Sequence, residues 1–197
     1  MTKDRIVEIA KAAAFAHAEG KTRVVIAKTD FLVGPVYDTK GKPLGYCARF
    51  IRQLHEAALG LGEFEWPYRA ANAVQMETNL RRAGLRVDKP EPGDIVCLNK
   101  GSGKYGHIAI YLRGSYIAEN TSAGRRGMPK EPGTKITKFS PSLKNRVTGY
   151  YAAMPATDDA LQTIRMIEEA TGKVVGSFNL VPGGDHIADQ GKVYVKV

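Results

Sequence analysis

The sequence predicts an α+β protein in which helices come before a run of short strands. Apolar residues recur three or four positions apart, as in amphipathic helices, in three segments: residues 1–20, 47–61 and 70–83. Short apolar runs bounded by Gly, Pro or Asp follow, at residues 95–98, 107–112, 115–121, 135–139 and 146–153. Because the helices precede the strands, we expect N-terminal helices packed on an antiparallel sheet.

Length and composition predict one larger domain and a small appendage. The chain has 197 residues, of which 43% are hydrophobic, enough for one real core. A Pro- and Asp-containing linker begins at Met154, which predicts domains over residues 1–153 and 154–197. The appendage has the pattern of a helix over 159–170 followed by strands over 173–180 and 192–197, a helix-hairpin segment. Since about forty residues bury little surface alone, we expect it to dock or to pair with another chain.

Cys47 stands at the head of the second predicted helix. Unpaired backbone N–H groups and the positive end of the helix dipole lower the pKa of a thiol in a first turn, which favours a nucleophilic thiolate. The same N–H groups are placed to stabilise an oxyanion. The other cysteine, Cys97, alternates with apolar neighbours in its strand and is predicted to be a core thiol.

A histidine and two polar residues follow on the predicted strands. His107 begins one strand directly after Gly106, which leaves room for another group to approach. Glu119 and Asn120 lie on the next strand, where successive side chains point to opposite faces, so only one of them can readily orient the imidazole. We expect that residue to be Glu119. A cysteine, a histidine and a polar orienting group in this order indicate a thiol acyl-transfer site, and therefore a hydrolase.

Three sequence runs carry a family resemblance. PGDIV (92–96), GHIAIYL (106–112) and IAEN (117–120), downstream of a helix-leading cysteine, resemble the NlpC-like cell-wall peptidases and especially the CHAP amidases. The resemblance covers roughly residues 37–121. It implies a papain-like α+β fold, cleavage of peptidoglycan amide bonds and no redox cofactor.

The resemblance also implies roles for individual residues. Cys47 would be the nucleophile, His107 the general base and later the acid, and Glu119 the group that orients the histidine. Asn120 would be a fourth member, because CHAP sites typically add an asparagine close to the acidic residue. The Asp-Cys-Ser start common in the family is replaced here by Tyr46, Cys47 and Ala48.

The segment between Thr121 and Tyr150 is rich in Gly, Pro, Lys and Ser, a composition typical of loops that rim a substrate groove. Aromatic side chains are predicted to line this groove: Tyr46, Trp66 and Tyr105, with Tyr68 and Tyr116 as further possibilities. The alternative is that these rings pack in the core.

The basic charge balance indicates an anionic partner. The chain has 29 basic and 20 acidic residues, a net charge of +9 and a pI near 9.5. A bacterial cell wall fits this charge, whereas nucleic acid is disfavoured because no recognised binding motif is present. Isolated acidic residues and one histidine, namely Asp30, Asp38, Asp185, His186 and Asp189, are weak metal signals. We therefore predict neither a metal nor a cofactor.

The sequence predicts cytoplasmic synthesis and action outside the membrane. No apolar run approaches the ~18 to 20 residues needed to span a bilayer, and the N-terminal segment lacks a secretory signal pattern. A phage lysis enzyme that leaves through a holin-like pore, a phage particle or a specialised secretion machine would reach the wall. The segment 154–197 is expected to target the wall, pack or form a homo-oligomer.

Two other functions stay open at the level of sequence. One is a catalytically inactive phage structural or wall-binding protein that keeps the hydrolase fold. The other is a thiol acyltransferase or deamidase that acts on a protein.

Overall fold

The structure of the protein is a computed structural model. It describes residues 2–41, 43–44, 46–99, 105–122 and 132–152, and four later strands. The chain divides into two compact units, Met1–Ala153 and Met154–Val197.

The described part of the first unit contains four helices: α1 (Thr2–Ala18), α2 (Cys47–Leu59), α3 (Ala73–Arg82) and α4 (Pro141–Lys144). α2 ends at Gly60, whose φ of 70° suits the left-handed conformation of a helix C-cap. α3 begins after Asn72, whose side chain accepts a hydrogen bond from the Gln75 N–H at 3.0 Å. Within the described residues, no helix combines the length and the apolar composition needed to cross a membrane.

Among its described residues, this unit also has ten strands. Two small hairpins come first, β1 (Arg23–Ile26) with β2 (Thr29–Leu32) and β3 (Val36–Tyr37) with β4 (Pro43–Leu44). The main sheet has six antiparallel strands: β5 (Arg86–Val87), β6 (Ile95–Leu98), β7 (His107–Leu112), β8 (Tyr116–Thr121), β9 (Gly133–Lys138) and β10 (Val147–Tyr151). Their order across the sheet is β5-β10-β6-β7-β8-β9, so β7 and β8 are neighbours near one end.

Both faces of the sheet are covered. α2 packs on β7 and β8, and α1 packs on β7, β8 and β9. The opposite face carries a cluster of buried apolar side chains closed by α4: Val96, Leu98, Ala109, Ile117, Phe139 and Leu143. The α+β arrangement predicted from the sequence is confirmed: a cysteine-bearing helix packs on an antiparallel sheet.

The described residues of the second unit form four strands. β11 (Thr163–Ile167) pairs with β12 (Val174–Asn179), and β13 (His186–Asp189) pairs with β14 (Lys192–Val195). The helix predicted over 159–170 is therefore wrong at Thr163–Ile167, where three of five residues are β-branched and β12 provides a pairing partner. Residues 159–162 and 168–170 of that prediction, and Asp185, lie outside the described residues.

Candidate active site

Cys47 is the first residue of α2, and its sulfur is surrounded by hydrogen-bond donors. Burial acts to raise the pKa of the Cys47 thiol, but a hydrogen bond and the charge of His107 act against burial. The backbone N–H groups of Ile108 and Ala48 contribute further in the same direction. The net result is a Cys47 pKa below its ordinary value, as expected for a sulfur at a helix N-terminus beside an imidazolium.

His107 is the first residue of β7, and Gly106 makes its position possible. Gly106 has a φ of 67°, and a Cβ there would lie only 3.1 Å from the Leu98 carbonyl oxygen. A glycine is therefore required both by the backbone conformation and by the close approach of β6. This tight connection places the imidazole at the beginning of β7, within hydrogen-bond reach of Cys47 at the start of α2.

The two ring nitrogens of His107 have different partners. Nε2 lies 2.6 Å from Oε2 of Glu119, which leaves Nδ1 for the hydrogen bond with the Cys47 sulfur. Burial acts to lower the pKa of His107, but Cys47 and Glu119 outweigh it and raise this pKa to about 9. The three side chains thus favour a thiolate–imidazolium pair at neutral pH.

Glu119 is fully buried and held at both carboxylate oxygens. One oxygen faces His107, and the other accepts a hydrogen bond from the Thr137 hydroxyl at 2.8 Å. Thr137 lies on β9 opposite Ile117, so period two places it on the same sheet face as Glu119. The carboxylate is therefore fixed towards the imidazole.

Asn120 lies on the other face of β8 and contacts α2 instead of His107. Its Oδ1 accepts a hydrogen bond from the backbone N–H of Tyr46 at 3.1 Å, and its Nδ2 donates to Thr134 Oγ1 at 3.0 Å. Asn120 thus positions the residue immediately before the nucleophile. The structure brings Cys47, His107 and Glu119 together and connects Asn120 to the same site through the backbone.

Cys97 is an inert counterpart to Cys47. It is 1% exposed, and burial, followed by the charge of Glu77, raises its pKa well above the ordinary value. A neutral thiol in the core has no nucleophilic role.

The aromatic residues predicted to line a groove lie in three different environments. The prediction for Trp66 is wrong: its side chain is 1% exposed and stacks on the His55 ring, with centroids 4.4 Å apart. Tyr46 is half-buried at the start of α2, under the Arg49 guanidinium at 5.9 Å. Tyr105 is exposed, two residues before His107.

The weak metal signals near α2 have other partners. The carboxylate of Asp30 pairs with Arg23, and Asp38 Oδ1 accepts the Lys40 N–H at 2.9 Å. In the part of the chain that the structure describes, no group of three or more His, Cys, Asp and Glu side chains is arranged to hold a metal ion.

Sequence reasoning missed Thr137 and Thr134, which hold Glu119 and Asn120. β9 could be recognised as a strand from its composition, but nothing local specifies which residues of β8 it faces. The pairing of Glu119 with Lys135 and of Asn120 with Thr134 is set by the register of the sheet.

This chain is similar to a known protein family over part of its length and to a solved structure. The CHAP domain model matches residues 37–117, which include Cys47 and His107. A solved structure of an NlpC/P60 family protein from Bacillus cereus ATCC 10987 resembles 78% of this chain at 16% identity, with a TM-score of 0.45. The match covers 40% of that protein, so this chain spans less than half its length. No protein with a curated description matches. Residues 37–117, which carry the thiol and the imidazole of the candidate active site, are therefore similar to a CHAP domain.

Proposed function

We propose that this protein is a cysteine amidase or endopeptidase that hydrolyses amide bonds of bacterial peptidoglycan. The observation that carries the proposal is the hydrogen-bonded series Cys47, His107 and Glu119, in which the Cys47 pKa is lowered and the His107 pKa is raised. The match of residues 37–117 to the CHAP domain model supports the general kind of activity, because proteins of this family are typically peptidoglycan hydrolases.

In the first step, the Cys47 thiolate attacks the carbonyl carbon of the amide. The negative charge that develops on the carbonyl oxygen is stabilised by unpaired backbone N–H groups of the first turn of α2. The C–N bond then breaks as the His107 imidazolium donates its proton to the leaving amine. The products are a free amine, a thioester on Cys47 and a neutral imidazole.

In the second step, water hydrolyses the thioester. Neutral His107 takes a proton from the water, whose oxygen attacks the thioester carbonyl, and the Cys47 thiolate leaves. The released acid and the restored thiolate–imidazolium pair complete the cycle. Glu119 keeps the imidazole in place and stabilises its charged form throughout.

The proposed partner is the anionic cell wall. A net charge of +9 would draw the protein to polyanions, and the exposed ring of Tyr105 is close enough to His107 in the chain to contact a substrate. We propose that 154–197 contributes wall targeting or self-association. We propose that the protein reaches the cell wall as an endolysin does, after release through a separate pore, a phage particle or a secretion machine.

The decisive experiment is digestion of purified peptidoglycan sacculi, with mass spectrometry of the soluble products. We expect wild-type protein to release fragments with one new amine and one new carboxyl group per cleavage. Cys47→Ala and His107→Ala should release none while retaining the circular dichroism of the wild type. Cys97→Ala is the matched control, because it removes a thiol outside the site.

Each result has a clear meaning. Intact sacculi after incubation with wild-type protein whose Cys47 reacts readily with iodoacetamide would overturn wall hydrolysis and favour a thiol enzyme that acts on proteins. Tight wall binding with an unreactive Cys47 would instead identify an inactive binding protein. Turnover that survives both site substitutions would exclude the proposed mechanism.

A further inference from the structure

A polar cavity lies on the side of α2 that faces away from Cys47. It has a volume of about 290 Å³ and is bounded by α2, the β1–β2 hairpin and residues 61–63. The helix contributes Arg49, Arg52, Gln53 and Glu56, which share one face because they are three, four or seven residues apart. No member of the candidate active site lines this cavity.

Two buried acceptor atoms at the cavity lack a partner. Gln53 and Glu56 are 3% and 1% exposed, and Oε1 of each has no hydrogen-bond partner among the described residues. Each side chain is nevertheless held in place by its other polar atom. Gln53 Nε2 donates to the Asp30 carbonyl at 2.7 Å, and Glu56 Oε2 accepts from Arg52 Nη1 at 2.7 Å. Buried acceptors that are fixed and unsatisfied are costly unless a donor arrives from outside.

A buried donor without a partner lies two helical turns away. Arg49 Nε has no acceptor among the described residues, and Arg49 lies in the first turn of α2. Seven residues separate it from Glu56, which corresponds to about 10 Å along the axis. The helix N-terminus is the positive end of the helix dipole, so a carboxylate is favoured near Arg49.

The charges around the cavity are nearly balanced. The lining includes four basic and three acidic side chains. Arg23 is paired with Asp30, and Arg52 is paired with both Glu56 and Glu63. A purely anionic or purely cationic ligand would therefore leave one end of the cavity unmatched.

We propose that this cavity binds a short peptide with a free ammonium group and a free carboxylate. Its ammonium group donates to Oε1 of Gln53 and Glu56, and its carboxylate accepts from Arg49. An extended chain advances at most ~3.3–3.6 Å per residue, so about three residues cover the distance. The cavity volume is close to the lower end of the ~300–1,000 Å³ range of small-ligand sites. This site is separate from the proposed hydrolase function and does not depend on it.

The test is an NMR titration of the full-length Cys47→Ala variant, which cannot consume the probe. The probe is trialanine, compared with its N-acetylated form and its C-terminal amide. We expect saturable shifts at the backbone amides of 49–56 and at the Gln53 side-chain amide. Loss of either terminal charge should weaken binding roughly tenfold or more, because one charge-assisted hydrogen bond is removed.

Chirality distinguishes two sources of such a peptide. All-L trialanine represents a fragment of a protein, whereas trialanine with a C-terminal D-residue represents a fragment of a cell wall. Tighter binding of the D-form would assign the site to wall fragments, and tighter binding of the all-L form would assign it to protein fragments; both support the zwitterion proposal.

Arg49→Gln tests the carboxylate end, with Arg82→Gln as the control because Arg82 is exposed at the end of α3. Arg49→Gln should bind trialanine and its C-terminal amide equally, yet still reject the N-acetylated peptide. The control should discriminate among all three peptides as the parent does. Equal affinity of the parent for charged and blocked peptides, or no saturable shift at all, would show that the cavity holds only water and would overturn the proposal. Digestion of sacculi measures hydrolase activity in a separate assay. Failure of the peptide-binding proposal can therefore be distinguished from failure of the proposed hydrolase function.

Discussion

The side chain of Asn120 accepts a hydrogen bond from the backbone N–H of Tyr46 at 3.1 Å, across a separation of 74 residues. This contact attaches the start of the cysteine helix to strand β8, next to Glu119. Glu119 and Asn120 are adjacent, but they lie on opposite faces of the strand and have different partners. One holds the imidazole, and the other holds the helix that carries the thiol.

Removing this attachment should misplace the nucleophile without changing the imidazole. We expect Asn120→Ala to lower kcat, and to lower the free energy of unfolding by about 1–3 kcal/mol, because the Tyr46 N–H and the Thr134 hydroxyl lose a partner. The pH dependence of Cys47 alkylation should stay close to that of the wild type, since His107 and Glu119 are untouched. Asn120→Asp, which retains the acceptor, should recover much of the activity. A large shift in the alkylation profile of Asn120→Ala would contradict this assignment.

The thiolate–imidazolium pair predicts a selective and pH-dependent thiol. Iodoacetamide should label Cys47 rapidly at neutral pH and spare Cys97, because the pKa of Cys47 is lowered and that of Cys97 is raised. Hydrolysis should decline as the pH rises through about 9, because His107 then loses the proton that it gives to the leaving amine. In His107→Ala, the apparent pKa of Cys47 labelling should increase. Mass spectrometry of the labelled peptides measures the labelling rates, and release of soluble fragments from sacculi measures hydrolysis. Equal slow labelling of both thiols would rule out the pair.

The same pair predicts how stability depends on pH. The folded-state pKa of His107, about 9, lies above its ordinary value of 6.5. The stabilisation from the charged imidazole is therefore fully present below pH 6.5 and is lost as the pH rises from 6.5 through about 9. Cys47 contributes with the opposite sign, because its folded-state pKa is lowered and the stabilisation from the thiolate is gained as the pH rises towards the ordinary value of 9.0. Urea unfolding of the wild type should therefore show a nearly constant free energy of unfolding between pH 6.5 and 9, and a steep fall would show that Cys47 remains a neutral thiol.

The Thr137 hydroxyl should affect the rate and pH dependence of catalysis through its hydrogen bond to Glu119. Thr137→Val preserves the shape of the side chain but leaves Glu119 Oε1 without this hydrogen bond of 2.8 Å. We expect a lower kcat with little change in KM, because the carboxylate is less firmly held against His107. For the same reason, the pH at which hydrolysis declines on the alkaline side should shift. Thr137→Ser keeps the hydroxyl and should behave like the wild type. If valine and serine variants have the same pH profile, Thr137 is only a packing residue.

His55 predicts acid sensitivity unrelated to catalysis. It is fully buried against Trp66, its Nδ1 donates to the Ile51 carbonyl at 2.7 Å, and burial lowers its pKa to about 4. An unfolded chain binds a proton at this residue below pH 6.5, and the folded protein does so only near pH 4. The free energy of unfolding should therefore decrease as the pH falls from 6.5 to about 4, by about 3 kcal/mol in total.

The control for this prediction is His55→Asn, which keeps a donor for Ile51 but does not titrate. It should be less stable than the wild type at neutral pH, because the ring stacking on Trp66 is lost. Its free energy of unfolding should nevertheless change less between neutral and acid pH. Parallel pH dependences of the two proteins would contradict the buried neutral histidine.

The predictions that succeeded depended on local periodicity. α2, β6 and β7 begin where the sequence predicted them to begin, because amphipathic spacing, a glycine or a turn marks each boundary. The predictions that failed depended on what a segment packs against. Trp66 follows α2 in a polar stretch, yet its ring fills the space beside His55, and Thr163–Ile167 pairs with β12 instead of forming a helix.

The sequence by itself determined that a thiol heads an amphipathic helix, that a histidine follows a glycine at the start of a strand, and that Glu119 and Asn120 face opposite ways. These are consequences of backbone periodicity and of glycine's conformational freedom, which act over a few residues. Only the tertiary structure decided that Thr137 holds Glu119 and that Asn120 holds the Tyr46 N–H. It also decided that the polar face of α2 encloses a cavity. Those relationships join residues far apart in the chain, and they depend on sheet register and helix packing, which no local pattern specifies.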